Sequence, residues 1–354
     1  MRRRYPLALL GLLLVSGLAV LAALRADPSD IGDEVDVSDL PVIAEADDVP
    51  GPDLAEGWIG SDPLSDAGLA GQVVVYDFWT YSCVNCVRTI PYLSAWYDRY
   101  HDDGLEIVGV HSPEFEFEKD PDNVERAVDD LGVDWPVALD PDLRIWNAFG
   151  NRYWPAKYVV DRDGALRYYH FGEGNYDEIE DVLRELLGVD PASPRADDGG
   201  DDSGTPPPRA EVTPELYVGG ARGSTSSPEG LTDPDDDGTP GGTGDFTVPD
   251  ELASDSFALD GRWEIGDESA TALEPGAAIV LRYRGSEVNL VLAAGDDASA
   301  AGTVTVTLDD GSPRQVDVGG PDLVNLLRDG PDGEHTLRIE AGAAGLAAYA
   351  FTFG

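Results

Sequence analysis

Sulfur and lysine are nearly missing from this chain. Its 354 residues include two cysteines, Cys83 and Cys86, one methionine and two lysines, Lys119 and Lys157. With no third or fourth cysteine, a zinc site built on this pair lacks its other soft ligands. Positive charge is also scarce: 23 basic residues stand against 69 acidic ones, a formal charge of −46. A nucleic-acid partner is excluded on that balance, because phosphate recognition needs clustered Lys and Arg. What is abundant is apolar residues, 42% of the chain, enough to build cores in a length that suits two domains.

The first stretch without charge follows at once. Arg2–Arg4 precede an uninterrupted apolar run from Pro6 to Leu24. The run is longer than most signal-peptide cores, and no clean small-x-small cleavage site follows it. Residues 1–26 are therefore expected to be an uncleaved membrane anchor, with a cleaved signal as the alternative. The arginines stay on the cytoplasmic side, so either route exports the rest of the chain. Residues 27–50 are acidic and aperiodic and are expected to be an exposed tether.

From 51 to 190 the pattern alternates. "VVVYDFW" (73–79) and "LEIVGVH" (105–111) are short continuous apolar runs of the kind that form buried strands. Helical spacing covers 86–102, 123–132 and 176–188, the last two closed by Gly132 and Gly188. "AKYVVDRDGALRYYHFG" (156–172) predicts a hairpin turning at "DRDG". This order predicts an α/β domain with a mixed sheet. Residues 191–245, with "DDGGDDSGTPPP" and "DPDDDGTPGGTGD", have too little apolar surface to offset ordering and predict a disordered acidic linker. One island there, "TPELYVGGAR" (213–222), has the apolar residues to dock on a domain. Residues 246–354 are short alternating runs separated by Gly and Asp turns, which predicts an all-β sandwich.

Cys83 and Cys86 follow the 73–79 strand and open a helix. A sulfur at a helix N-terminus faces unpaired amides and the positive end of the dipole, which favour an anion. A second cysteine one turn on can attack a mixed disulfide formed at the first. A purely structural bridge here would close a tiny loop and stabilise little. The pair therefore reads as a redox centre rather than a staple.

"DFWTYSCVNCVRTIP" (77–91) resembles the thioredoxin superfamily, and within it the extracytoplasmic TlpA/ResA-like proteins and the soluble part of DipZ-type proteins. "GVHSPEFEFE" (109–118), "YWPAKYVVDRDG" (153–164), "TPELYVGG" (213–220) and "AYAFTFG" (348–354) carry the same resemblance. It implies a thioredoxin-like α/β domain followed by a carbohydrate-module-like β-sandwich. It implies Cys83 as attacking thiol, Cys86 as resolving thiol, and Asp77 as a buried carboxylate beneath them that exchanges a proton with Cys86. It also implies that Pro155 is a cis-proline packed on the cysteine pair, with the Trp154 backbone pairing an extended substrate. Trp79 and Tyr81 are expected to border the active face. DipZ-type proteins carry a multi-helix membrane electron carrier that this chain, with one apolar segment, lacks; electrons are therefore expected from a separate membrane donor.

The resemblance implies a thiol–disulfide oxidoreductase acting on exported protein thiols or disulfides, without cofactor or metal. A peroxiredoxin is disfavoured, since no Pro precedes Thr80 in the stretch 73–79. His111 is the one histidine expected near the site. The acids of "FEFEKDPDNVERAV" are expected to be solvated. Trp263, Tyr283 and Tyr349 are candidates to stack on a glycan. The alternative of a different class is a cell-surface binding protein that uses the first domain as scaffold.

Overall fold

The computed structural model describes residues 40–196, 212–227, 242–294, 302–331 and 333–354. The chain divides into two compact units, Met1–Pro206 and Pro207–Gly354. The expected anchor and most of the expected tether, residues 1–39, lie outside the described residues.

In the first unit the strands are β1 (Gly57–Ile59), β2 (Val73–Trp79), β3 (Leu105–His111), β4 (Val137–Leu139), β5 (Ala156–Val160) and β6 (Leu166–Phe171). The helices are α1 (Asp66–Leu69), α2 (Val84–Val87), α3 (Ile90–Tyr100), α4 (Pro121–Leu131), α5 (Arg144–Phe149) and α6 (Tyr176–Leu187). The sheet order is β1-β4-β3-β2-β5-β6. β2, β3 and β4 run parallel, and β1, β5 and β6 join antiparallel. β2 and β3 are buried along their whole length because both faces of the sheet are covered. Val73, Val75 and Trp79 point into one core with Leu93 and Trp96 of α3 and Ile179 and Leu183 of α6. Val74, Tyr76 and Phe78 point into the other, with Ile145 and Phe149 of α5.

Two expectations shift. The helix expected over 86–102 is broken into α2 and α3. Pro91 has no N–H to donate to the Val87 carbonyl, so the ladder lapses at Arg88–Thr89. The tether expected over 27–50 is shorter, because Leu40 and Ala44 in its last eleven residues pack on the domain. Ala44 bridges Leu166 on the edge strand β6, with Leu166 N–H donating to the Ala44 carbonyl at 2.9 Å, and Leu40 is buried. An otherwise unpaired strand edge is thereby satisfied.

The second unit is antiparallel throughout. Its strands are β7 (Leu216–Tyr217), β8 (Gly242–Phe246), β9 (Ser256–Ile265), β10 (Ala270–Ala272), β11 (Ala278–Arg284), β12 (Val288–Ala293), β13 (Gly302–Leu308), β14 (Arg314–Val318), β15 (Asp322–Leu327), β16 (Glu334–Ala341) and β17 (Ala347–Phe353). The strand path is β14-β13-β16-β11-β9-β10-β17-β12-β15. β9 serves both layers: residues up to Asp260 pair with β11, and residues from Trp263 pair with β10. The switch falls at Gly261, whose φ of 86° favours glycine and where a Cβ would crowd Ala277 Cα at 3.2 Å. Inward residues of both layers form one core, including Leu281, Leu290, Leu337 and Phe351. The island expected to dock does so here: Leu216 and Tyr217 pair with Phe351 and Ala350. The expected linker over 191–245 thus loses residues 212–227 and 242–245 to this unit, while 197–211 and 228–241 lie outside the described residues.

Candidate functional site

The site is assembled at the C-terminal end of β2. After Trp79 the chain leaves the sheet through Thr80, Tyr81 and Ser82, and Cys83 becomes the N-cap of α2. Cys83 Sγ accepts the Cys86 N–H at 3.2 Å, and the two sulfurs lie 2.6 Å apart with both thiols unbonded. The sulfurs differ in access. Cys83 is partly exposed, whereas Cys86 is 1% exposed. An outer nucleophile with an inner partner within reach follows from the i,i+3 spacing on a single helical turn.

Burial pushes the Cys86 thiol well above its ordinary value, and the neighbouring Cys83 and the charge of Asp77 push it further. Asp77, on the face of β2 that carries the cysteine core, is itself buried. Desolvation raises its carboxyl above the usual range, and Lys157 opposes that rise. Lys157 Nζ lies 3.0 Å from Asp77 Oδ1, both side chains being almost completely buried. The two residues are direct cross-strand partners in the β2–β5 ladder. Sequence reasoning missed Lys157. Its signal was available: a rare lysine inside the apolar run "AKYVV" of a strand facing β2.

Trp154–Pro155 is a cis peptide and Pro155 is buried. Trp154 is half-buried. Its Nε1 donates to the Ser112 carbonyl at 2.9 Å, and its ring lies against Trp146. Trp154 and Cys83 both border the same apolar cluster. Trp79 and Tyr81 correct the expectation of a substrate-facing rim, being only 2% and 1% exposed. Trp79 alternates into the core with Val73 and Val75, and Tyr81 turns inward to stack on His111 at 5.7 Å. Neither presents surface to a partner.

His111 is buried, with its Nε2 3.4 Å from Thr80 Oγ1. Burial pushes it down to about 3, so it is a neutral structural imidazole at pH 7. The acids of 115–128 are not all solvated as expected. Glu118 is 1% exposed and accepts the Ser82 hydroxyl at 2.5 Å, which ties it to the loop before Cys83. Nothing local in the sequence separates Glu118 from Glu114 or Glu116; only the fold of the β3–α4 connection does. In the second unit, Trp263 and Tyr283 are core residues with 1% and 0% exposure, so neither can stack on a sugar.

Two family models match. The redoxin family covers residues 60–186, and the thioredoxin-like C-terminal domain family covers 213–354. Both units thus resemble domains of thioredoxin-like proteins. The fold is a thioredoxin-like α/β domain followed by an antiparallel β-sandwich. Protein DipZ of Mycobacterium tuberculosis (strain CDC 1551 / Oshkosh) is 38% identical over 312 residues, 86% of this chain and 42% of that protein. The chain thus spans less than half the length of the DipZ relatives it matches. Thiol-disulfide oxidoreductase YkuV of Bacillus subtilis (strain 168) is 28% identical over 140 residues, 39% of this chain and 94% of the relative. Thiol-disulfide oxidoreductase ResA of Bacillus thuringiensis (strain Al Hakam) is 27% identical over 118 residues, 33% of this chain and 65% of the relative.

Proposed function

We propose that the first domain is a thiol–disulfide oxidoreductase that works through Cys83 and Cys86 on the thiols and disulfides of exported proteins. The observation that carries this reading is the asymmetric pair: an accessible sulfur at a helix N-cap with a buried thiol 2.6 Å behind it. The names of the YkuV and ResA relatives point the same way.

In the reducing direction, the Cys83 thiolate attacks one sulfur of a substrate disulfide. A mixed disulfide forms and the substrate's other sulfur leaves with the electron pair. Cys86 then loses its proton and attacks Cys83 Sγ, which releases the second substrate thiolate and leaves the Cys83–Cys86 disulfide. Two electrons pass from the dithiol to the substrate. The difficult step is deprotonating Cys86, whose buried thiol holds its proton tightly. Asp77 is the acceptor. Burial brings its proton affinity up toward that of a thiol, and Lys157 keeps the carboxylate available. The oxidising direction is the reverse.

The chain is held in the membrane by residues 1–26 with both domains outside, and a separate membrane protein supplies the electrons. The uncharged run from Pro6 to Leu24 behind three arginines supports this placement. Among the described residues no helix is long and apolar enough to cross a membrane. Insulin reduction by the full chain tests the chemistry. Cys83→Ser should abolish it, and Cys86→Ser should accumulate mixed disulfides visible on non-reducing gels. A Cys83→Ser protein that retains wild-type turnover would remove the reading.

A further inference from the structure

Glu118 is a buried carboxylate that the thiol–disulfide mechanism leaves unused. It sits in the 3-10 turn Glu116–Lys119 of the connection between β3 and α4. Its oxygens meet only donors. One accepts the Ser82 hydroxyl at 2.5 Å, and the other accepts the backbone N–H groups of Glu114 at 2.6 Å and Phe115 at 2.9 Å. The Thr80 hydroxyl is a further partner. An ionised carboxylate is acceptor-only, with about four lone-pair sites, and this is the environment such an anion needs. No cation faces it among the described residues. Desolvation raises its proton affinity, and the four hydrogen bonds counter that rise.

The partners divide by origin. Glu114 and Phe115 belong to the connection itself and would satisfy any local turn. Ser82 and Thr80 are more than thirty positions away in sequence and form two of the three residues between β2 and Cys83. The third, Tyr81, is gripped by the same connection, stacking on His111 at 5.7 Å and meeting Phe117 at 6.1 Å. Thr80 also touches His111 Nε2, and its carbonyl accepts the Cys83 N–H at 3.3 Å. The direction in which Cys83 leaves the sheet is therefore set by residues 111–118, with Glu118 as the hub.

We propose that Glu118 is a positioning residue for thiol–disulfide exchange, holding Thr80 and Ser82 so that Cys83 stays over Cys86. This rests on the functional reading given above. A buried charge whose removal strands two hydroxyls and two amides has a stabilising role too, so the test separates stability from positioning. Full-chain Glu118→Gln, Glu118→Ala, Ser82→Ala and the Glu118→Ala/Ser82→Ala double variant are compared with wild type. The readings are insulin reduction per folded molecule, the alkylation rate of reduced Cys83 by iodoacetamide, and the dithiol–disulfide equilibrium against glutathione.

Glu118→Ala and Ser82→Ala should each slow insulin reduction by about tenfold while the protein remains folded by circular dichroism. The double variant should be no slower than Glu118→Ala, since both changes cut one link. The glutathione equilibrium should shift in the same variants. Exchange, alkylation and equilibrium all within twofold of wild type in folded variants would overturn the positioning role, as would a double variant that loses the product of the two effects. Should Glu118→Ala not fold, Ser82→Ala decides by the same criteria, because it removes the Ser82 link while Glu118 still satisfies the amides; Glu118→Gln, whose amide can still donate to Ser82, should lie between Ser82→Ala and wild type. A wild-type chain inactive on insulin would count against the functional reading instead; Cys83 alkylation would still report whether Glu118 places that sulfur.

Discussion

Asp77 and Lys157 set opposite charges 3.0 Å apart in a core that excludes water from both. Such a pair is strong only while complete. Removing one member strands the other, at a loss of roughly 3–5 kcal/mol, whereas replacing both with apolar residues of similar volume is often neutral or stabilising. Asp77→Leu and Lys157→Met should therefore each lower the urea midpoint, and the double variant should recover most of the loss. All of these should exchange thiols slowly, because the acceptor for the Cys86 proton is gone or unopposed. Additive destabilisation in the double variant would mean that the pair is not coupled. His170 faces Lys157 from the next strand. Burial first, and then the Lys157 charge, push it down to about 4. The unfolded chain binds that proton near pH 6.5 and the folded one does not, so this contribution is present at neutral pH and is lost as pH falls through 6 toward 4. Between pH 6 and 5 the loss should be about 1 kcal/mol. His170→Gln should flatten the stability–pH curve there by that amount; an unchanged slope would show that the imidazole is protonated in the fold.

At the scale of elements, chemistry was legible where it follows from a short run. "VVVYDFW" predicts a strand because six of its seven residues are apolar or aromatic, and Cys83 falls at its expected cap after three intervening residues. The breaks and anchors were not legible. Pro91 splits α2 from α3, an effect that apolar spacing over 86–102 conceals because the two helices keep one face. Residues 40–50 read as acidic tether, yet their few apolar side chains suffice once β6 offers an unpaired edge. The same holds beyond α6. Residues 190–196 look like linker, but Arg184 donates to the carbonyls of Asp190, Pro191, Ser193 and Pro194 and to the Tyr100 hydroxyl. One guanidinium thus replaces the helix that ended at Gly188. Arg184→Met should lower stability by about 2 kcal/mol and should speed hydrogen exchange at Ala192 and Ala196 more than elsewhere in the domain. Uniform acceleration across the first unit would argue against a local latch.

At the scale of the whole molecule, the cores decide how the chain divides. Every member of the sandwich core lies at or beyond Val212. Every member of the two cores flanking the mixed sheet lies between Leu40 and Ala196. Among the described residues no apolar cluster includes members of both units, so each has its own core for the burial that drives folding. The sequence made this division visible, since residues 191–245 are too poor in apolar side chains to bridge two cores. It put the second unit's start too late, because Val218 enters that core from the middle of the acidic stretch. The redox pair, its carboxylate and Glu118 all lie in the first unit. A protein of residues 40–196 should therefore fold cooperatively and reduce insulin at the rate of the full chain. A protein of residues 212–354 should show its own melting transition and no exchange. One beginning at Phe246 should be much less stable, because it loses β7, which pairs with β17 beyond the end of β10, most of β8, and Val218 from the core. Differential scanning calorimetry of the three proteins and of the full chain is the measurement. Two full-chain transitions matching those of the separate units are expected. A single shared transition, or a first unit that unfolds without the second, would show that the units stabilise one another across the acidic connection.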